Sequence, residues 1–258
     1  MTAGRRRALR KRSAPRVSVL LPCRNAASTL EAALASLASQ TLEDWEIVAV
    51  DDGSADETPA LLDDWTRREP RLRVIHTPPR GIVPALQTTA GEARGPLLAR
   101  MDADDVARPT RLEYQVTYLD THPEVAACGA GVRYIPRRGL RDGARRYERW
   151  INAAVTPEEI ERDLFVECPL PHPTLMVRRA AYEGVGGYRD PGWPEDYDLV
   201  LRLWAGGHRL GKVADVLLEW RESPDRLSRT DPRYSEHAFR RCKVHYLGYR
   251  LAGRDVVV

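Results

Sequence analysis

Residues 16–21 (RVSVLL) form a short apolar, β-branched run that predicts a strand ending at Pro22. Ser28 then opens a helix, with Glu31 three positions on at capping-box spacing. Leu30, Leu34 and Leu37 recur at i, i+4 and i+7 and give that helix one apolar face. A second strand at 45–50 stops at Asp51-Asp52-Gly53. The pattern continues with a helix over 56–69, a strand at 72–76, a helix over 82–93 and a strand at 97–101. Pro109 suits the first turn of a helix over 109–122, which carries Leu112, Val116 and Leu119 on one face. Strands alternating with helices predict an α/β architecture, a mostly parallel central sheet flanked by helices.

The second half is less regular. A strand is expected at 125–134, and the arginine-rich stretch 137–149 reads as a mobile loop. Thr156-Pro157-Glu158-Glu159 is a second capping box, with proline at the first helical position of a helix running to 166. Further elements are expected at 174–177 (strand), 195–205 (helix), 212–218 (strand) and 234–249 (helix). No internal repeat interrupts the series.

Composition narrows the class. The chain has 258 residues, 43% hydrophobic and 30% charged, as soluble globular proteins do. No apolar run approaches the roughly 18 residues of a membrane span, and the N-terminal arginines lack the apolar region of a secretory leader. Four dispersed cysteines, Cys23, Cys128, Cys168 and Cys242, without a CxxC pair suit a reducing cytoplasm. The net charge of +3 hides an asymmetry: seven of the 40 basic residues lie in 1–16, which has no acid, so 33 basic and 37 acidic groups leave −4 for the remainder. A mildly acidic body gives no footprint for nucleic acid. The basic head is expected to be a disordered tail, or a peripheral contact with anionic lipid at the inner membrane face, where each cation contributes roughly 1 kcal/mol.

Ligands of open α/β sheets bind beyond the carboxyl ends of the strands. Three polar clusters fall at such ends: Pro22-Cys23-Arg24-Asn25, Asp51-Asp52-Gly53-Ser54 and Asp102-Ala103-Asp104-Asp105. Each alone suits a turn; three on successive strand ends would face one crevice. The carboxylates of Asp102 and Asp104 can converge on one hard cation, Mn²⁺ or Mg²⁺, which takes carboxylate and phosphate oxygens and assists a departing diphosphate as a Lewis acid. Competing motifs fail. No G-x-G-x-x-G follows the first strand, and 206–212 matches G-x-x-x-x-G-K only up to Val213, where Ser or Thr is required.

These residues carry a family resemblance. The segment 17–58, VSVLLPCRNAASTLEAALASLASQTLEDWEIVAVDDGSADET, resembles the opening of family 2 glycosyltransferases with the GT-A fold. ARMDADD at 99–105 is similar to that family's D-x-D segment, and GGYRD at 186–190 followed by PEDYDLVLRL at 194–203 to its acceptor-side, base-bearing motif. The resemblance implies inverting transfer of a sugar from a nucleotide-sugar, a UDP-sugar foremost, to a glycan or lipid-linked acceptor in cell-envelope or polysaccharide synthesis. It implies one domain over 16–250, with a nucleotide-binding half at 16–122 and an acceptor-binding half at 123–250, behind the tail 1–15. By position, Pro22, Arg24 and Asn25 border the nucleotide, Asp51 contacts the base with Asp52 nearby, and Asp102 and Asp104 sit at the ribose and the metal. Arg100 is a phosphate-side candidate. Asp196 aligns with the family's base, at a helix start whose dipole favours its ionised form. Glu195, His172 in PHPT and the Trp193 ring are expected near the acceptor, and Arg226 and Ser228 near the diphosphate. Two departures stand out: Ser223 replaces a histidine that approaches the metal in several members, and Gln87 replaces asparagine. A non-catalytic nucleotide-sugar-binding relative and a nucleotidyltransferase of similar fold are the alternatives.

Overall fold

The computed structural model describes residues 14–223 and 226–251, so the expected tail falls almost wholly outside the described residues. Strand β1 (Val17–Cys23) shows why its sequence is a continuous apolar run. Val17, Val19, Leu21 and Cys23 pack in one core layer, while Leu20 joins the layer on the opposite face. A strand covered on both faces has no polar side. β1 pairs in parallel with β2 (Trp45–Asp52) and β4 (Leu97–Arg100), and β2 with β3 (Leu72–Thr77). The expected end at Pro22 is one residue early. Pro22 stays in register with Val50, and the β4 ladder has ended at Leu20–Arg100, so the missing proline N–H interrupts no pairing on that side.

Beyond β4 the sheet is mixed rather than parallel. β7 (Met176–Arg178) runs antiparallel between β4 and β6 (Val125–Ile135), β8 (Arg209–Arg221) runs parallel to β6, and the two-residue β5 (Val106–Ala107) closes the order β3-β2-β1-β4-β7-β6-β8-β5. One sheet therefore runs through both halves of the sequence. The short reversed β7 leaves the carboxyl ends of β1, β2, β3, β4, β6 and β8 on one edge. Helices α1 (Ala27–Ala38), α2 (Thr58–Arg68) and α4 (Arg111–Thr121) cover one face; α3 (Ile82–Glu92), α7 (Arg179–Gly184), α8 (Glu195–Ala205) and α10 (Glu236–Leu251) cover the other.

Three local expectations are revised. The Ser28/Glu31 capping box does not form, because α1 starts earlier: its leading amides on Ala26 and Ala27 donate to Thr58 Oγ1 (2.7 Å) and Asp56 Oδ2 (3.0 Å). Glu31 instead accepts from Trp65 Nε1 of α2 at 2.6 Å. The arginine-rich stretch is not a loop but contains helix α5 (Asp142–Ala153), which packs Ala144, Tyr147, Trp150 and Ile151 on the core. Its Asn152 exchanges hydrogen bonds with both backbone groups of Val132 (2.9 and 2.8 Å), and Glu148 accepts from Tyr134 N at 2.6 Å, covering the β6 edge that short β7 leaves open. The segment 174–177 begins as a single 3₁₀ turn, His172–Thr174, before β7.

The capping box on α6 (Pro157–Asp163) does form: Thr156 Oγ1 accepts from Glu159 N, and Glu159 Oε2 accepts from Thr156 N. Thr156→Ala should therefore cost about 1 kcal/mol in equilibrium urea unfolding, with an unchanged denaturant slope.

Candidate active site

The acidic loop after β4 is built from below. Arg111 at the start of α4 is fully buried and donates to Arg100 O (2.6 Å), Gln115 Oε1 and Met101 Sδ, so it holds the main chain entering Asp102. Burial lowers this guanidinium to about 10, and it stays charged at neutral pH. Thr29 Oγ1 of α1 donates to Ala103 O at 3.1 Å. Arg221 at the end of β8 donates from its backbone to Asp105 Oδ1 (2.7 Å) and from Nε to Asp104 O (2.8 Å). On this frame Asp102, Asp104 and Asp105 each present a carboxylate oxygen within 4.8 Å of the others. Burial, then the charge of Asp102, pushes Asp104 up to about 6, and Asp105 is raised by the same two causes together with Asp104. Asp105 Oδ2 is buried without a hydrogen-bond partner among the described residues. An all-oxygen, crowded, under-satisfied set of this kind fits a hard divalent cation, with Asp102 and Asp104 the more open of the three.

Arg100 connects this loop to the rest of the crevice. Its buried guanidinium pairs with Asp102, while its Nε makes no hydrogen bond among the described residues. The same charge is felt at Asp104, His172, Glu195 and Asp196, and that of Asp102 is felt at Asp196, so the β4 loop and the start of α8 face one another.

The first turn of α8 divides its acids among three tasks. Asp198, fully buried, accepts from Arg189, Arg202, Trp193 Nε1 and Tyr246 OH at 2.7–2.8 Å. Burial alone would raise its carboxyl, but these donors hold it low. Glu195 is buried and accepts from Tyr234 OH at 2.7 Å, with His172 Nδ1 4.0 Å away; burial and then the charge of Asp196 push it up to about 7. Asp196 keeps part of its surface open and takes its own neighbour's amide, Tyr197 N, on Oδ1 at 2.7 Å. Burial raises it to about 6, opposed by that amide and by Arg100. Burial, then Arg100, keeps His172 neutral; its Nε2 meets Tyr188 OH at 2.7 Å, and Gln87 Nε2 donates to Tyr188 O.

At the ends of β1 and β2, Asn25 adopts positive φ (49°) and its side chain accepts from Ala55 N, tying the two loops together. Asp51 accepts from Ser54 N (3.1 Å) and faces His76 Nδ1 (3.2 Å). Arg24 is exposed beside them, and Pro22 is buried within β1. Arg226 stacks on Trp220 (4.3 Å to the ring centre), and its charge reaches the acidic loop.

Asp52 accepts from two backbone amides, Arg80 N (2.7 Å) and Gly81 N (2.8 Å), and faces Arg24 at 3.5 Å, so it organises the start of α3. Trp193 is buried, with its N–H on Asp198 and its ring against His245, which holds it in the core. Ser228 is exposed, Ser223 half-buried, and Pro224 and Asp225 between them lie outside the described residues. Arg111, Tyr188, Arg221 and Tyr234 are not marked by the local sequence: Arg221 and Tyr234 reach partners 116 and 39 residues away, and Arg111 and Tyr188 act on backbone or side chains of other elements.

The raised carboxyl of Asp196 makes its charge a burden on folding. Its native value near 6 lies above the ordinary value near 4, so the native state binds the proton more tightly and stability falls as pH rises between the two. Asp196→Asn retains the bond from Tyr197 N and removes the buried charge. It should raise stability at pH 7.5 by on the order of 1–2 kcal/mol, the gain fading below about pH 5, as read by urea unfolding at both values.

Comparisons with known proteins bear on the family and the fold. Residues 18–186 match the family model for glycosyl transferase family 2. The amylovoran biosynthesis glycosyltransferase AmsE of Erwinia amylovora is 31% identical over 201 residues, 78% of this chain and 73% of AmsE. Among solved structures, S. aureus TarS 1–349 in complex with UDP-GlcNAc superposes with a TM-score of 0.70 at 16% identity, over 92% of this chain and 73% of that one. The mannosyltransferase PcManGT of Pyrobaculum calidifontis, in complex with GDP-Man and Mn²⁺, superposes at 0.64 with 24% identity, over 93% and 64% of the two chains. The fold is that of GT-A glycosyltransferases, and the chain belongs to glycosyl transferase family 2.

Proposed function

We propose that the chain is an inverting glycosyltransferase that moves a sugar from a nucleotide-diphosphate sugar to an acceptor hydroxyl in polysaccharide synthesis at the cytoplasmic face of a membrane. The observation that carries this reading is the placement of Arg100 between an acidic, cation-fitting loop and one open carboxylate at a helix start. Donor and acceptor ends of a displacement need that opposition. The donor complexes of TarS and PcManGT support a nucleotide-sugar, for which a UDP-sugar is our preference, and the name of AmsE supports a biosynthetic polysaccharide product; a glycan or lipid-linked acceptor is part of the proposal. Among the described residues no helix is long and apolar enough to cross a membrane.

In this reading Pro22, Arg24 and Asn25 border the nucleotide and Asp51 receives the base N–H, its carboxylate already oriented by Ser54 N and His76. Asp102 and Asp104 hold Mn²⁺ or Mg²⁺, which when bound neutralises charge on the diphosphate. The unpartnered Nε of Arg100 is the nearby donor for a phosphate oxygen. On the opposite side Asp196 takes the proton of the acceptor hydroxyl at Oδ2 while Oδ1 stays on Tyr197 N. A carboxyl near 6 is mostly ionised at pH 7 and still more basic than an exposed aspartate, which suits a general base. His172, neutral, and Glu195, held by Tyr234, line the acceptor side. With Ser223 in the histidine position, the residues that would hold the ion are the carboxylates of the β4 loop alone.

Asp196→Asn should leave donor affinity intact and lower turnover by roughly two to four orders of magnitude; near-normal turnover would remove the base assignment. For the cation, Asp104→Asn should weaken nucleotide-diphosphate binding by calorimetry with Mn²⁺ present and change it little in chelator. Equal losses in the two conditions would count against Asp104 as a ligand.

A further inference from the structure

The arginines that disguised α5 take no part in the crevice. Arg138 and Arg141 before the helix, and Arg146 and Arg149 on it, are exposed, and none of their side chains makes an ion pair or hydrogen bond among the described residues. Several exposed arginines on other helices are neutralised: Arg67 and Arg68 by Asp64, Arg162 by Asp163, Arg240 by Glu236. On the outward side of α5 the one acid is Asp142, in the first turn; Glu148 is turned inward to Tyr134 N and Arg137. Unbalanced positive charge is thus concentrated on one flank of a body that is otherwise mildly acidic.

That flank shares a wall with the crevice. Ile135, the last residue of β6, accepts from Glu222 N, and Arg226 leans on Tyr134 and Trp220 on its way to the acidic loop. We propose that the α5 flank docks on an anionic lipid surface, its arginines meeting headgroup phosphates while the crevice opens beside them. Guanidinium groups suit phosphate by their planar donor geometry. The apolar side of α5 is spent on the core, so nothing inserts and the contact is electrostatic, held at headgroup level and sensitive to salt. The mildly acidic body around the helix offers no continuing basic track for a nucleic-acid backbone, whereas a sheet of headgroups needs only the local patch. Docking itself does not depend on the sugar-transfer reading; only the benefit for a membrane-borne acceptor rests on it.

The test is flotation of the full chain with vesicles of phosphatidylcholine alone or with phosphatidylglycerol added. Wild type should bind only the anionic vesicles and be released by 0.5 M salt. Replacing Arg138, Arg141, Arg146 and Arg149 together by Gln should weaken binding by about tenfold or more, with melting temperature and donor hydrolysis unchanged. A charge-matched control, Arg67→Gln with Arg162→Gln, Arg209→Gln and Arg240→Gln, should keep most of the binding. The proposal is overturned by equal binding of the α5 variant, by an equal loss in the control, or by indifference of wild type to lipid charge. Tighter α5-dependent binding of a single-stranded oligonucleotide than of anionic vesicles would overturn it in favour of nucleic acid.

Discussion

The guanidinium of Arg100 lies between two groups of carboxylates that repel one another, Asp102 to Asp105 on the β4 loop and Glu195 with Asp196 at the start of α8. Such charges, removed from water, cost several kcal/mol each unless a partner compensates them. Arg100 is held at both levels of its structure: its amide donates to Leu175 O, its carbonyl accepts from Arg111, and its side chain pairs with Asp102. The acidic site can therefore stay assembled at neutral pH with its carboxylates close to ionisation. The values of Asp104, Asp196 and Glu195 are raised first by burial, which Arg100 opposes at each.

What the chain declares locally, the sequence conveys well. Apolar runs that end in polar clusters are legible because a parallel strand buried on both faces must be apolar until it leaves the sheet, as β1, β2 and β4 do. The facing of Asp102 and Asp196 was legible only through the order of family motifs, since 94 residues separate them. The tasks within Glu195-Asp196-Tyr197-Asp198 were not legible. Which acid stays open depends on Tyr234, Tyr246, Arg189 and Trp193, none of which the local pattern identifies. The bonds of Asp52 to the start of α3 and of Trp193 to Asp198 were not legible for the same reason.

The two capping-box spacings make the point in miniature. At Thr156 the box forms because the cap residue itself is extended, which aims its hydroxyl at Glu159 N. At Ser28 the neighbouring β2–α2 loop supplies Thr58 and Asp56 first, and Glu31 is drawn to Trp65. In α5 the opposite masking occurs: arginines at most outward positions hide the spacing of Ala144, Tyr147 and Ile151, which needs the exposed edge of β6 to become meaningful.

The bond from Tyr246 to Asp198 spans 48 residues and joins α10 to the helix that bears Asp196. During synthesis the strands β1 to β4 can pair as they emerge, but Asp198 lacks one of its four donors until α10 has left the ribosome. The start of α8 is thus set in place last, after the first half of the sheet has paired. A half-made chain lacks α8 and the Arg221 that holds the acidic loop, so the two sides of the crevice come together only as the C-terminal third emerges.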